Sequence, residues 1–205
     1  MEGYIDRQRS HRGFLTHAEL IETIGADNVI LDASSVLISR NIKVGRDNIL
    51  YTNVVIEQRE EGTISIGNGN IFYPGTYILS SAGQIYIGNE NEFGPAGVTI
   101  KANMPDALIE IGDQGRYRDG ANIMGKTSLG SGSQVLGSIA VQNSLLAGGG
   151  TYAEADPDKR AAVLKGFGLA REIILEVGEV ISGKGDFSEV PIERQAFYHP
   201  KTADN

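Results

Sequence analysis

Apolar residues along this chain alternate with polar ones in short bursts, and the bursts recur. Ile42-Lys43-Val44, Ile64-Ser65-Ile66, Ile85-Tyr86-Ile87 and Ile109-Glu110-Ile111 each place aliphatic side chains two residues apart. That is the period of a strand with one buried face. Each burst runs into a glycine and small polar residues: Gly45-Arg46-Asp47-Asn48, Gly67-Asn68-Gly69-Asn70, Gly88-Asn89-Glu90-Asn91 and Gly112-Asp113-Gln114-Gly115. Leu129-Gly130-Ser131-Gly132-Ser133 repeats the anchor once more. Six residues beyond each anchor stands Leu50, Phe72, Phe93, Tyr117 or Val135, and six further on Ile56, Ile78, Thr99, Ile123 or Val141. Three hexads predict one triangular turn of three short strands, with a large residue pointing inward from each strand and a small one rounding each corner. No such turn buries its apolar face alone, so the turns must stack, about 4.8 Å apart.

The anchors stand 22, 21, 24 and 18 residues apart. Measured against three hexads, the surplus falls each time after the third hexad, at Glu57 to Gly62, Ser80 to Gly83 and Lys101 to Asp106. These insertions are expected to stack along one edge of the prism. Such an edge is either the working face of a repeat protein or a solvent edge that tolerates length variation.

The flanks follow different rules. Thr16-His17-Ala18-Glu19 reads as a capping box, followed by Leu20, Ile21 and Ile24 and stopped by Gly25, which predicts a short helix plugging the first coil. Residues 1–30 are therefore assigned to a capping segment and 31–183 to the coils. Gly148-Gly149-Gly150 opens a polar loop over 148–162, with a turn or short helix begun at Asp156-Pro157. Leu169, Leu175 and Ile181 keep the six-residue beat in a last, irregular coil that Gly183 ends. The tail over 184–205, with Pro191, Phe197, Tyr198 and Pro200, is expected to pack back on the outside.

Composition narrows the class. The 205 residues hold 27 glycines, roughly twice ordinary usage. A net charge of -8 repels phosphate backbones and argues against a nucleic-acid partner. There is no cysteine, so disulfides and thiolate metal sites are excluded and a reducing cytoplasm is the expected compartment. The first ten residues carry no apolar run resembling a signal peptide, and no stretch of about 18 apolar residues predicts a membrane span.

Hexads with an aliphatic residue followed by Gly, Asn or Asp resemble the hexapeptide-repeat superfamily, firmly from Ile42 to Val141 and loosely from Val163 to Gly183. In the second stretch the resemblance rests on Lys165-Gly166-Phe167-Gly168-Leu169-Ala170-Arg171 and Leu175-Glu176-Val177-Gly178-Glu179-Val180-Ile181. The superfamily includes bacterial acyltransferases, γ-class carbonic anhydrases and the pointed-end subunits of dynactin. The extra alternating strand before each Ile-Gly is nearest the γ-carbonic-anhydrase-like and dynactin branch. The resemblance implies an all-β fold, a left-handed parallel β-helix, with a short helical N-terminal cap and an irregular C-terminal tail. Its hand comes from the resemblance, since the usual crossover is right-handed. It also implies a homotrimer with sites between subunits.

The chemistry the family implies is only partly supplied. A γ-class carbonic anhydrase gathers three histidines from successive coils around zinc. Here His11, His17 and His199 all lie outside the repeats, and no metal site is predicted. Hexapeptide acyltransferases commonly use a histidine base, and no coil histidine is present, so no catalytic residue is assigned. Acyl transfer can still proceed by positioning when the amine acceptor arrives neutral. The most polar coil segment is Arg116-Tyr117-Arg118-Asp119-Gly120-Ala121-Asn122, followed by Lys126. Arg116 and Arg118 point the same way from one strand, and their forks suit carboxylate or phosphate. Arg116, Arg118, Asn122 and Lys126, with Lys101 and Asn103 from the longest insertion, are the candidate binding residues for coenzyme A or a small polar substrate. The plainer reading is an ion pair with Asp119 or with a neighbouring subunit. Gln134, Gln142 and Asn143 are expected to be corner or ladder amides. Two functions follow: an acyltransferase on a small polar acceptor, using a coenzyme A thioester, or a non-catalytic scaffold or assembly protein.

Overall fold

Alternating strands bounded by small polar corners dictate a stacked prism, and that is what forms. The computed structural model describes residues 2–199, so residues 200–205, the end of the expected tail, lie outside the described residues. The fold is a left-handed parallel β-helix of three faces. Equivalent strands of successive coils pair in parallel, for example Phe72 with Phe93, Ile78 with Ile56, and Ile64 with Ile85.

The inward columns make the core. The first face contributes Leu50, Phe72, Phe93, Tyr117, Val135, Leu164 and Ile181, all essentially inaccessible to solvent. The second contributes Ile38, Ile56, Ile78, Ile100, Ile123, Val141 and Ala170. The third contributes Ile66, Ile87, Ile111, Leu129, Leu146 and Leu175. Phe72, Phe93 and Tyr117 stack with ring centres 5.1 and 5.4 Å apart, an offset geometry that adds to their area burial.

Two inward assignments shift by one residue. Ile100, not Thr99, continues the column between Ile78 and Ile123. The corner from Gly94 to Thr99 holds one residue more than its counterpart from Tyr73 to Tyr77, so part of the surplus lies there rather than in the insertion. In the last coil Ala170, not Leu169, meets Val141. The strand Val163–Arg171 runs straight through a corner and pairs with both Gln134–Leu136 and Ile139–Gln142. Glycine permits this: a Cβ on Gly137 would sit 1.9 Å from the Gly166 carbonyl, and one on Gly166 1.8 Å from that of Gly183. The following strand passes Gly183 and continues to Asp186.

A buried asparagine ladder rounds one corner. Asn48, Asn70 and Asn91 are fully buried. The Asn70 side chain accepts from the Asn91 backbone and side-chain N–H groups at 2.9 and 3.0 Å and donates to the Gly88 carbonyl at 3.0 Å. Each rung thus satisfies both halves of its amide, as burial demands. The three insertions do stack on one edge, where Arg59 N–H donates to the Ser80 carbonyl at 2.8 Å and Ser81 N–H to that of Ala102 at 3.1 Å.

Both ends are covered. The capping box forms at Thr16, followed by helical turns that bury Leu20 and Ile24 and end at Gly25. A further helix, Glu2–His11, was not apparent in the sequence pattern. It carries Arg9, which is 5 % exposed and donates to the carbonyls of Ala33 and Ser34, each at 2.9 Å, and of Val36 at 3.2 Å. At the other end Phe187 enters the core, and Glu193–Arg194 pairs antiparallel with Glu179–Val180. Asp156 caps a single 3-10 turn, Pro157–Lys159, in the loop between the last coils. Among the described residues no helix is long and apolar enough to cross a membrane.

A cationic pair on the first face: candidate functional site

Strand alternation decides what faces solvent here. With Tyr117 turned inward, Arg116 and Arg118 must both project from the first face. Their partner comes from the preceding coil: Glu92 pairs directly with Arg116 in the register. Arg118 Nη2 donates to Glu92 Oε2 at 2.8 Å, while Arg116 Nε stands 3.5 Å from the same oxygen. The second approach is an ion pair without hydrogen-bond alignment, and Nε of both arginines is buried with no hydrogen-bond partner. The expected pairing with Asp119 does not form; Glu92 takes its place because it is the aligned outward neighbour. Two guanidinium groups sharing one carboxylate leave one net positive charge on an acidic chain.

An aromatic side chain covers this pair. Tyr152, from the loop after the glycine run, lies over the Arg116 guanidinium with its ring centre 4.1 Å away, a stacking arrangement that arginine favours. Beyond Tyr152 the same face holds a cavity of about 430 Å³, with Gln134 and Lys165 on its floor and His199 on its wall. A larger and more open groove, about 920 Å³, lies near the N-terminal cap and contains His11, Glu57 and Arg59. Within it Arg59 Nε donates to Glu57 Oε1 at 2.5 Å, and that carboxylate pushes the Arg59 guanidinium above its usual range.

The remaining candidates are dispersed by the prism. Asn122 lies on the second face, paired with Thr99, and its Oδ1 is buried without a partner. Lys101 lies on that face too, with Nζ 5.7 Å from the Tyr77 ring centre. Asn103 is exposed in the insertion beyond it. Lys126 is on the third face, where Nζ stands 3.4 Å from Asp106 Oδ2 in an exposed pair. The single chain therefore brings Arg116 and Arg118 together but leaves Lys101, Asn103, Asn122 and Lys126 elsewhere.

The histidines do not converge either. His17 Nδ1 is 2.7 Å from Asp6 Oδ1, whose carboxyl is held below its ordinary range chiefly by the His17 backbone N–H. His11 lies in the N-terminal groove, and His199 near the opposite end. Among the described residues no group of three His, Asp or Glu side chains is placed to hold a metal ion. Asn143 serves as a corner amide, accepting from the Lys126 N–H at 2.9 Å, whereas Gln142 accepts from Arg171 Nε at 3.2 Å and the Gln134 side chain, against expectation, makes no hydrogen bond among the described residues. Sequence reasoning missed Glu92 and Tyr152. Glu92 was recoverable from its place one coil before Arg116, whereas nothing local marks Tyr152.

No family model matches the chain, and no curated protein does. Among solved structures it is similar to a histidine-to-asparagine variant of perosamine N-acetyltransferase from Caulobacter crescentus, in complex with CoA and GDP-perosamine. That similarity has a TM-score of 0.40 at 12 % identity, covering 88 % of this chain and 68 % of that chain. The paired registers and inward columns themselves identify the chain as a parallel β-helix built on six-residue repeats.

Proposed function

We propose that the protein is a hexapeptide-transferase-like acyltransferase, moving an acyl group from a coenzyme A thioester to a small polar acceptor at the first face. The observation that carries this is the Arg116 and Arg118 pair, two half-buried guanidinium groups sharing the single carboxylate of Glu92. Such groups suit the phosphate oxygens of the donor. In the reaction the acceptor nitrogen attacks the thioester carbonyl, the C–N bond forms, the C–S bond breaks, and the sulfur leaves with the electron pair. The attacking nitrogen loses a proton, which the departing sulfur takes up to leave as the free thiol. No coil histidine receives it, so an amine arriving neutral and held in line supplies the simplest route.

The test is thiol release from acetyl-coenzyme A across a panel of small amines, amino sugars included. The wild type should release thiol with at least one acceptor. Arg116→Ala and Arg118→Ala should raise KM for the donor by roughly tenfold, about 1.4 kcal/mol. Thiol release that neither substitution alters would remove the first face from the reaction.

A second reading, assembly through this same face, has its own observation. Outside the charged pair the first face presents Val29, Leu31, Ile49, Tyr51, Ile71 and Tyr73, with Val29 51 % and Leu31 55 % exposed. Tyr51 and Tyr73 stack at 5.0 Å. An apolar strip of this kind suits a second copy of the chain, and we propose that it is the contact of a homotrimer. The two readings are compatible, since a subunit cleft can complete a site that one protomer leaves scattered.

A further inference from the structure

The cavity beyond Tyr152 is built by the repeat itself. Its floor is a small grid on the outer side of the first face, in which Gln134, Val163 and Val180 form one column and Leu136, Lys165 and Ser182 the next. The loop residues Tyr152 and Arg160, and Gln195, Tyr198 and His199 from the C-terminal segment, complete its lining. Val163 and Val180 are 6 % and 5 % exposed, so they give the floor an apolar centre.

Its polar groups have not been used up. Gln134 is 6 % exposed, yet its side-chain amide makes no hydrogen bond among the described residues. This differs from Asn48, Asn70 and Asn91, each of which spends both halves of its amide within the ladder. Unlike the Nε atoms of Arg116 and Arg118, the Gln134 amide is not sealed from solvent, so it is open to a ligand in the cavity. Lys165 makes no ion pair among the described residues, and Arg160 is engaged only through Nε, which donates to the Glu154 carbonyl at 2.7 Å. Among the described residues no carboxylate belongs to the lining; Glu193, which accepts from Tyr198 Oη, is turned to that hydroxyl. On a chain of net charge -8, a cavity lined by two cations and, among the described residues, no acid is the exception.

We infer that this cavity is a binding site for a small carboxylic acid with an apolar or aromatic body. The carboxylate would be held by Lys165 and the Gln134 amide N–H, and its body would lie over Val163, Val180 and Leu136 against the two tyrosine rings. The volume of about 430 Å³ falls within the range of small-molecule sites. Leu136, Val163, Val180 and the two tyrosines offer the apolar surface, and the polar groups beside them would fix orientation, which is how such sites discriminate. This inference needs neither coenzyme A nor acyl transfer, and it would stand if the protein proved to be no enzyme.

Calorimetric titration of the full chain tests it, with 3-phenylpropionate and octanoate as probes and 3-phenylpropylamine and inorganic phosphate as controls. At least one acid should bind, and neither control should. Lys165→Glu, at an exposed position, should weaken the acid about tenfold or more. Gln134→Leu should weaken it too, while Lys43→Glu on the distant third face should leave it unchanged. Unliganded melting curves would show that each variant is folded. The inference is overturned if neither acid binds, if the amine or phosphate binds as tightly, or if Lys165→Glu retains full affinity.

Discussion

At residue scale, Tyr117 shows how one substitution in a repeat requires another. The asparagine ladder ends at Asn91, whose Oδ1 accepts from the Gly115 N–H at 2.8 Å. An asparagine at 115 would continue it, but the Tyr117 hydroxyl occupies that space. A Cβ on Gly115 would lie 2.2 Å from Tyr117 Oη, which instead meets Ser133 Oγ at 3.1 Å. Burial pushes the Tyr117 phenol well above its usual range, so it stays neutral. Gly115→Asn alone should destabilise by about 1–3 kcal/mol through overpacking. Combined with Tyr117→Phe it should cost clearly less than the two single changes together, measured as a double-mutant cycle by chemical denaturation. Additive costs would mean that hydroxyl and ladder do not compete. The same scale shows where sequence falls short. Val98, Thr99 and Ile100 are consecutive β-branched residues, and only the neighbouring coils decide that Ile100 points inward.

At the scale of elements, local signals were readable and tertiary ones were not. The Thr16 to Glu19 capping box is written in four adjacent residues, and it forms. The helix Glu2–His11 holds only Tyr4 and Ile5 as large apolar residues, so no amphipathic stripe announces it. It is held instead by Arg9 on the first-coil carbonyls and by Asp6 at His17, contacts that require the fold. The long strand Val163–Arg171 was hidden for a related reason. Its corner depends on glycine stacked on glycine, whereas the six-residue beat alone selected Leu169. The cap also carries a pH signature. Arg40 foremost, then the Thr16 backbone and hydroxyl, lower the Glu19 carboxyl from its ordinary 4.5 to about 2. A carboxyl depressed in the fold contributes stability that is full above its ordinary value and disappears as pH falls through the folded one. Wild type should therefore exceed Glu19→Gln in stability at pH 7, with the gap narrowing from about pH 4.5 towards pH 2. A gap that is constant across that window would show that the Glu19 charge does not support the cap.

At the scale of the whole molecule, the prism converts sequence distance into position. Arg116 and Arg118 were legible as a pair because a strand places alternate residues on one side. Lys101, Asn103, Asn122 and Lys126 were grouped with them by nearness in sequence, and the triangular coil sends them to other faces. Glu92 reaches the pair from the preceding coil and Tyr152 from the loop after the glycine run. The apolar half of the first face predicts assembly, and Val29→Glu with Leu31→Glu should shift a trimer towards monomer in sedimentation. Both residues are exposed, so the protomer itself should remain folded; an unchanged oligomer would place the contact elsewhere.

The account rests most heavily on the first face holding an anionic donor, and thermal unfolding with and without acetyl-coenzyme A tests that directly. A ligand at about 100 times its dissociation constant adds about 2.7 kcal/mol to the folded state. The account predicts a clear rise in Tm for the wild type and none for the Arg116→Ala, Arg118→Ala double variant. No rise in the wild type, or an equal rise in both proteins, would contradict it.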